Sequence, residues 1–164
     1  MAVIYILDSS AMESLNALAI DDDTMTDRLV ELRDTGSLVY CEAVKDERRT
    51  YAKGEPITIW AVSGWRSIQS RAVLNFTSVQ AVMKLFPMNG NESSIMDMDD
   101  PENLEQQALA TMSLAYQLKD AFEVIVVSDE SFTAENRCIV MNACAVLQVK
   151  HLTVTDFLDA VESS

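Results

Sequence analysis

The order of apolar segments predicts an α/β domain built on a central parallel sheet. Two observations carry this. Segments that read as strands alternate with segments that read as helices along the whole chain, and three of the four predicted strands are short continuous apolar runs, the pattern of strands buried on both faces. The length agrees: 164 residues make one ordinary domain, large enough to close a single core over residues 1–164. No internal repeat, low-complexity tract or composition shift marks a second domain.

VIYIL, residues 3–7, is the first strand and runs directly into Asp8. Helices are expected near 11–19 and from 23 to 34, where Met25, Leu29 and Leu32 recur at helical spacing and Gly36 supplies a stop. SLVYC, residues 37–41, is the second strand, followed by a helix over 43–53 that ends near Gly54 and Pro56. ITIWAVSGWRSI and FTSVQAVMKLF predict one helix each, with Trp60, Trp65 and Phe76 expected in the core rather than in a ligand box. Residues 87–101 form the one long loop, and Asp100 with Pro101 make an N-cap and first helical position for a helix over 101–118. EVIVV, residues 123–127, is a buried strand, a helix near 135–147 follows, HLTV is a short last strand, and TDFLDAV is the closing helix.

Charge narrows the function classes. Twelve basic and 26 acidic residues give a net charge of −14, which repels nucleic acid and acidic membrane at long range. The exception is residues 45–84, where seven basic side chains stand against three acidic ones, Lys45, Arg48, Arg49 and Lys53 among them. Such a run is usually a solvated face, yet here it flanks Glu47, where an RNA backbone would need cations. Cys41, Cys138 and Cys144 lack paired spacing and accompany a lone histidine, His151, so buried thiols in a reducing compartment are expected rather than disulfides or zinc. No apolar run reaches the length of a membrane span, and the protein is expected to be cytoplasmic.

The acids suggest the chemistry. In open α/β sheets, ligands bind outside the carboxyl ends of the strands. Asp8 ends the first strand and Asp129, beside Glu130, ends the third, so the two can converge on one crevice. Glu47 shares a helix face with Val44 and Tyr51, and Glu105 lies early in the helix before EVIVV. Carboxylates gathered this way repel unless a cation sits among them. Hard oxygen ligands with room for water suit Mg²⁺ or Mn²⁺. Each acid also has a plain structural reading: Asp8 as a helix cap, Glu105 as a solvated helix residue, Asp129 as a turn former.

IYILDSSAM resembles the opening strand of the PIN-domain nucleases, whose first acid is followed at two residues by Ser or Asn, here Ser10. VKDERR is similar to their second acidic motif, the run from Ile125 to Phe132 resembles their strand, acid and Phe element, and HLTVTDFLDAV resembles their last strand and helix. The resemblance implies a three-layer α/β/α sandwich and a Mg²⁺- or Mn²⁺-dependent ribonuclease. Asp8 would be the central metal ligand, Glu47 and Asp129 further ligands, and Glu105 the third acid. Ser10, Ser128 and Glu130 would support the cluster. Asp100 rivals Glu105, Glu42 competes with Glu47, and the Thr usual before the last acid is replaced around Val127 and Ser128. The chain's size is similar to that of single-domain PIN toxins, which implies an antitoxin partner and leaves room for a homodimer. Two other classes stay open: a non-catalytic PIN-like binding module, and a receiver-type phosphorylation switch, which needs a second acid after strand one and a lysine ending a late strand.

Overall fold

A computed structural model describes residues 1–19, 21–86, 94–97, 106–131 and 137–162. Four strands form one sheet: β1 (Val3–Leu7), β2 (Leu38–Tyr40), β3 (Glu123–Val127) and β4 (Lys150–Leu152), in the order β2-β1-β3-β4 with every pairing parallel. The helices between them are α1 (Ser9–Leu18), α2 (Asp23–Asp34), α3 (Glu42–Tyr51), α4 (Pro56–Ser63), α5 (Trp65–Ala72), α6 (Phe76–Leu85), α7 (Gln107–Leu118), α8 (Val140–Leu147) and α9 (Val154–Glu162). The architecture is the α/β/α sandwich.

Right-handed crossovers explain the layers. Chain order moves outward from β1 to β2 and then back across β1 to β3 and β4, so α1 and α2 fall on one face and α3, α7 and α8 on the other. Contacts between α3 and α7 and between α7 and α8 agree. The last helix, α9, returns to the first face, touching α1 and α2, and its buried Phe157 meets Tyr5 of β1 edge-on at 5.0 Å. Because β1 leads to one side of the sheet and β3 to the other, the switch of direction lies between them. Their carboxyl ends define the crevice.

The long excursion from β2 to β3 covers the β2 edge. Tyr40 is fully buried, donates its hydroxyl to the Ala61 carbonyl, and lies between the rings of Trp60 and Trp65 at centroid distances of 5.6 and 6.0 Å. An aromatic cluster of this kind anchors α4 and α5 where an unpaired strand edge would otherwise face solvent. Where one helix was expected over ITIWAVSGWRSI, the chain breaks at Gly64. That break lets Arg33 of α2 approach the backbone, donate to the Trp60 carbonyl at 3.0 Å and sit over the Trp60 ring; a Cβ at Gly64 would collide with the Arg33 side chain. Phe76, expected in the core, is 71% exposed at the start of α6.

Other boundaries moved for local reasons. The helix expected from residue 135 begins at Val140, because Ile139 is extended and the Val140 N–H is taken by Glu130. The last strand ends at Leu152 and α9 begins at Val154, whose N–H is taken by Asp129. The helix expected over 101–118 is described only from Gln107. Cys41 and Cys144 are buried, and burial pushes both thiols up to about 12. Among the described residues no helix is long and apolar enough to cross a membrane.

Candidate active site

The site begins with the turn from β1 into α1. Asp8 continues the ladder, its N–H donating to the Val127 carbonyl at 3.3 Å, and its extended backbone makes it the N-cap of α1. Its Oδ1 accepts from the Ala11 N–H at 2.8 Å and from the Ser10 hydroxyl at 2.7 Å, while Oδ2 accepts from the Ser128 hydroxyl at 2.5 Å. The cap reading of Asp8 is realised: one oxygen caps the helix, while the other faces the end of β3. The side chain is fully buried. Burial pushes its carboxyl above the usual aspartate range, against the pull of the Ser128 and Ser10 hydroxyls, the Ala11 N–H and the charge of Arg137.

Ser128 is the second element of the edge. It follows β3, its N–H donates to the Leu152 carbonyl at 3.1 Å, and its own carbonyl lies 2.9 Å from Nε2 of His151 on β4. Its hydroxyl, 3.2 Å from that of Ser10, thus reaches Asp8 from a backbone held on both sides. The two hydroxyls expected as supports for Asp8 occupy that position.

Asp129 lies elsewhere. Its backbone N–H donates to Ser10 Oγ at 3.0 Å, but its exposed carboxylate accepts from the Val154 N–H at 2.8 Å and starts α9. One oxygen of Asp129, expected as a ligand, is thus engaged at a helix N-terminus that lies within its reach. The neighbour, Glu130, turns the other way: Oε2 accepts from the Val140 N–H at 2.6 Å and Oε1 pairs with Arg137.

Glu47 enters from α3. It is half-buried and lines a cleft of about 870 Å³ together with Asp46, Asp97, Gln107 and Arg137. Burial raises its carboxyl above the ordinary glutamate range; the Ser9 hydroxyl, which faces it without reaching hydrogen-bond geometry, and the cations Arg48 and Arg137 oppose this, while the charge of Asp8 adds to it. Glu42, the rival of Glu47, is exposed on the cleft wall. Gln107 opens α7 and its side-chain carbonyl accepts from the Ser9 N–H at 3.2 Å, joining the starts of α1 and α7. Glu105 and Asp100 lie outside the described residues.

The basic run divides by burial. Lys45 and Arg48 face inward: the Lys45 ammonium sits 4.8 Å over the Trp65 ring and 3.2 Å from Asp46, and Arg48 pairs with Glu55 at 2.6 Å. Neither presents its charge to a phosphate, so their expected RNA contacts are corrected; the amphipathic turn of α3 that buries Val44 carries both inward with it. Arg49 and Lys53 are exposed. Arg137 and Gln107 were not anticipated from the sequence. Arg137 stands beside a predicted helix with no motif around it, and Gln107 follows the acid that drew the prediction. Lys150, the cation nearest the chain's end, lies at the amino end of β4 and pairs with Glu123. That is the end of the sheet opposite Asp8, so this lysine does not have the position a receiver-type switch requires.

Among the described residues no three His, Cys, Asp or Glu side chains gather into a metal site. Mg²⁺, however, commonly binds through one or two carboxylates, with water and substrate phosphate completing its shell. Glu47 on the cleft wall and the buried Asp8, which does not line that cleft, are the residues that would offer it oxygen ligands. Oδ1 of Asp8 takes two hydrogen bonds, but Oδ2 takes one and keeps a lone pair.

No protein-family model matches the chain, and no curated protein matches it. Among solved structures, the chain is similar to the crystal structure of PAE2754 from Pyrobaculum aerophilum, with 14% identity and a TM-score of 0.49 over 100% of both chains.

Proposed function

We propose that this chain is a PIN-like ribonuclease that hydrolyses RNA phosphodiester bonds with Mg²⁺ or Mn²⁺, acts in the cytoplasm, and serves as the toxin of a toxin-antitoxin pair. The observation that carries the reading is the position of Asp8. A buried carboxylate at the switch point of a parallel sheet, oriented by hydroxyls from two strand ends and electrostatically coupled to Glu47, is an arrangement that a helix cap alone does not require.

Asp8 and Glu47 would hold the ion, which supplies an activated water and shields the phosphate. Ser10 and Ser128 fix the rotamer of Asp8, and Gln107 keeps α7 against the start of α1. Arg49 and Lys53, exposed on and just after α3, are the cations left to meet an RNA backbone. The acidic cleft wall of Glu42, Asp46 and Asp97 suits a basic antitoxin segment. A second reading, a non-catalytic PIN-like module, is favoured by one observation: Asp129 caps α9 instead of joining Asp8.

The test is cleavage of single-stranded RNA by the purified chain with Mn²⁺ and with EDTA. The parent should cleave only with metal, and Asp8→Asn and Glu47→Gln should abolish cleavage. Equal cleavage by Asp8→Asn and the parent would sink the reading, and no cleavage by the parent would favour the binding module.

A further inference from the structure

His151, the chain's one histidine, stands on β4 with Nε2 2.9 Å from the Ser128 carbonyl oxygen. A carbonyl only accepts, so Nε2 carries the proton and His151 is the donor. The register explains why a side chain is needed there. β3 and β4 pair Val127 with Leu152, and the Ser128 N–H continues the ladder to the Leu152 carbonyl at 3.1 Å. In a parallel ladder the next bond would run from the Val154 N–H to the Ser128 carbonyl. That N–H is taken by the Asp129 carboxylate at 2.8 Å, because α9 starts at Val154. Ser128 is 1% exposed, so its carbonyl would be left buried without a donor. The imidazole supplies the missing one. Ser128 thus follows the strand one residue past the end of β3, where its hydroxyl reaches Asp8 Oδ2 at 2.5 Å and accepts from the Glu130 N–H at 3.2 Å.

We propose that His151 is a positioning residue for Asp8: by donating to the Ser128 carbonyl it replaces the ladder bond given up to α9 and holds the Ser128 hydroxyl on the buried carboxylate. The two oxygens of Asp8 are then held from different places. Oδ1 is held by α1 itself, through the Ser10 hydroxyl and the Ala11 N–H. Oδ2 is held from β4, through Ser128 and His151. This geometry is independent of what Asp8 does, whereas its consequence for RNA cleavage rests on the nuclease reading.

The first measurement needs no variant. Because His151 is the one histidine, its ring ¹⁵N resonances are unambiguous, and at pH 8 they should place the proton on Nε2. A ring protonated on Nδ1 alone overturns the inference. His151→Leu removes the donor, and His151→Gln returns an amide N–H at similar reach; His151→Met replaces the leucine variant if that one fails to fold, as judged by circular dichroism. His151→Leu should lower the urea midpoint by about 0.5 M. On a Ser128→Ala background it should lower the midpoint by less than half as much, and His151→Gln should restore most of the loss. An equal loss on both backgrounds overturns the inference, since a histidine that only satisfies a carbonyl costs the same with or without the hydroxyl. The ¹³C resonance of the Asp8 carboxyl should move in His151→Leu and return in His151→Gln; no movement also overturns it. With Mn²⁺ and single-stranded RNA, His151→Leu should lose cleavage about tenfold or more and His151→Gln should regain it. Full cleavage by His151→Leu overturns the positioning role and leaves the nuclease reading intact. No cleavage by the parent sinks that reading, and the carboxyl resonance and the coupling to Ser128 still decide the role of His151.

Discussion

Two buried polar regions, the Asp8–Ser128 edge and the flank around Tyr40, handle charge in opposite ways. At the flank, cations are laid against aromatic faces: Arg33 over Trp60 at 5.0 Å and Lys45 over Trp65 at 4.8 Å, each with an acid beside it at the surface. Their aliphatic stems pack and their heads are neutralised locally, which is a structural use of charge. At the edge, a carboxylate is enclosed outright and depends on hydroxyls, one N–H and a shared arginine. The first arrangement gains from packing whichever partner is present. The second depends on each of its donors, because the carboxylate is fully buried. Three of the cations that made residues 45–84 look like a nucleic-acid surface serve structure instead: Lys45, Arg48, and Arg71, which contacts the turn at Gly36. A charge run in a sequence does not reveal which side of a helix it occupies.

The sharpest way to separate the two regions is to remove Tyr40. Tyr40→Ala empties a fully buried aromatic site and leaves the Ala61 carbonyl without its donor, so urea unfolding should show a loss of about 3–5 kcal/mol. Mn²⁺ affinity should hold wherever the variant remains folded. A parallel loss of metal binding would mean that flank and edge form one unit.

Ser128→Ala strikes the other region. It removes a hydrogen bond to a charged acceptor and leaves Asp8 Oδ2 buried without a donor, which should cost about 1.5–3 kcal/mol in the same measurement. Magnesium at saturation should recover part of that loss if the oxygen is a ligand. No recovery would assign Ser128 to the fold alone.

The smallest effect is a pH dependence. The folded-state carboxyl of Asp8 is raised by burial, so its contribution to stability is fully present below the ordinary aspartate range and is lost as pH rises through the folded value. Stability of the parent relative to Asp8→Asn, followed by urea midpoints between about pH 3 and pH 8, should therefore decline with rising pH. A flat difference would show that the Asp8 carboxyl titrates alike in the folded and unfolded chain.

Much of the fold was legible because strand and helix periods leave direct marks. VIYIL and EVIVV are apolar without interruption, and they became the central pair of the sheet. The break at Gly64 was missed because the Arg33 side chain that packs against it comes from α2. Asp8 and Ser128 were legible as strand ends. Asp129 was misread because two adjacent acids follow β3, and only the position of the N-termini of α8 and α9 decides which carboxylate turns to which helix. Arg137 left no local signal, because its role comes from partners brought together by tertiary folding.

The hydrogen bond from Ser128 to Asp8 joins residues 120 positions apart, and the β1 to β3 ladder spans the same interval. On a ribosome, β1 emerges before β3 and lacks this central neighbour until 120 further residues have been made. Contacts of such separation form late, because loop-closure entropy must be met before they contribute. Asp8 therefore stays solvated and unoriented on the nascent chain until β3 and Ser128 have emerged.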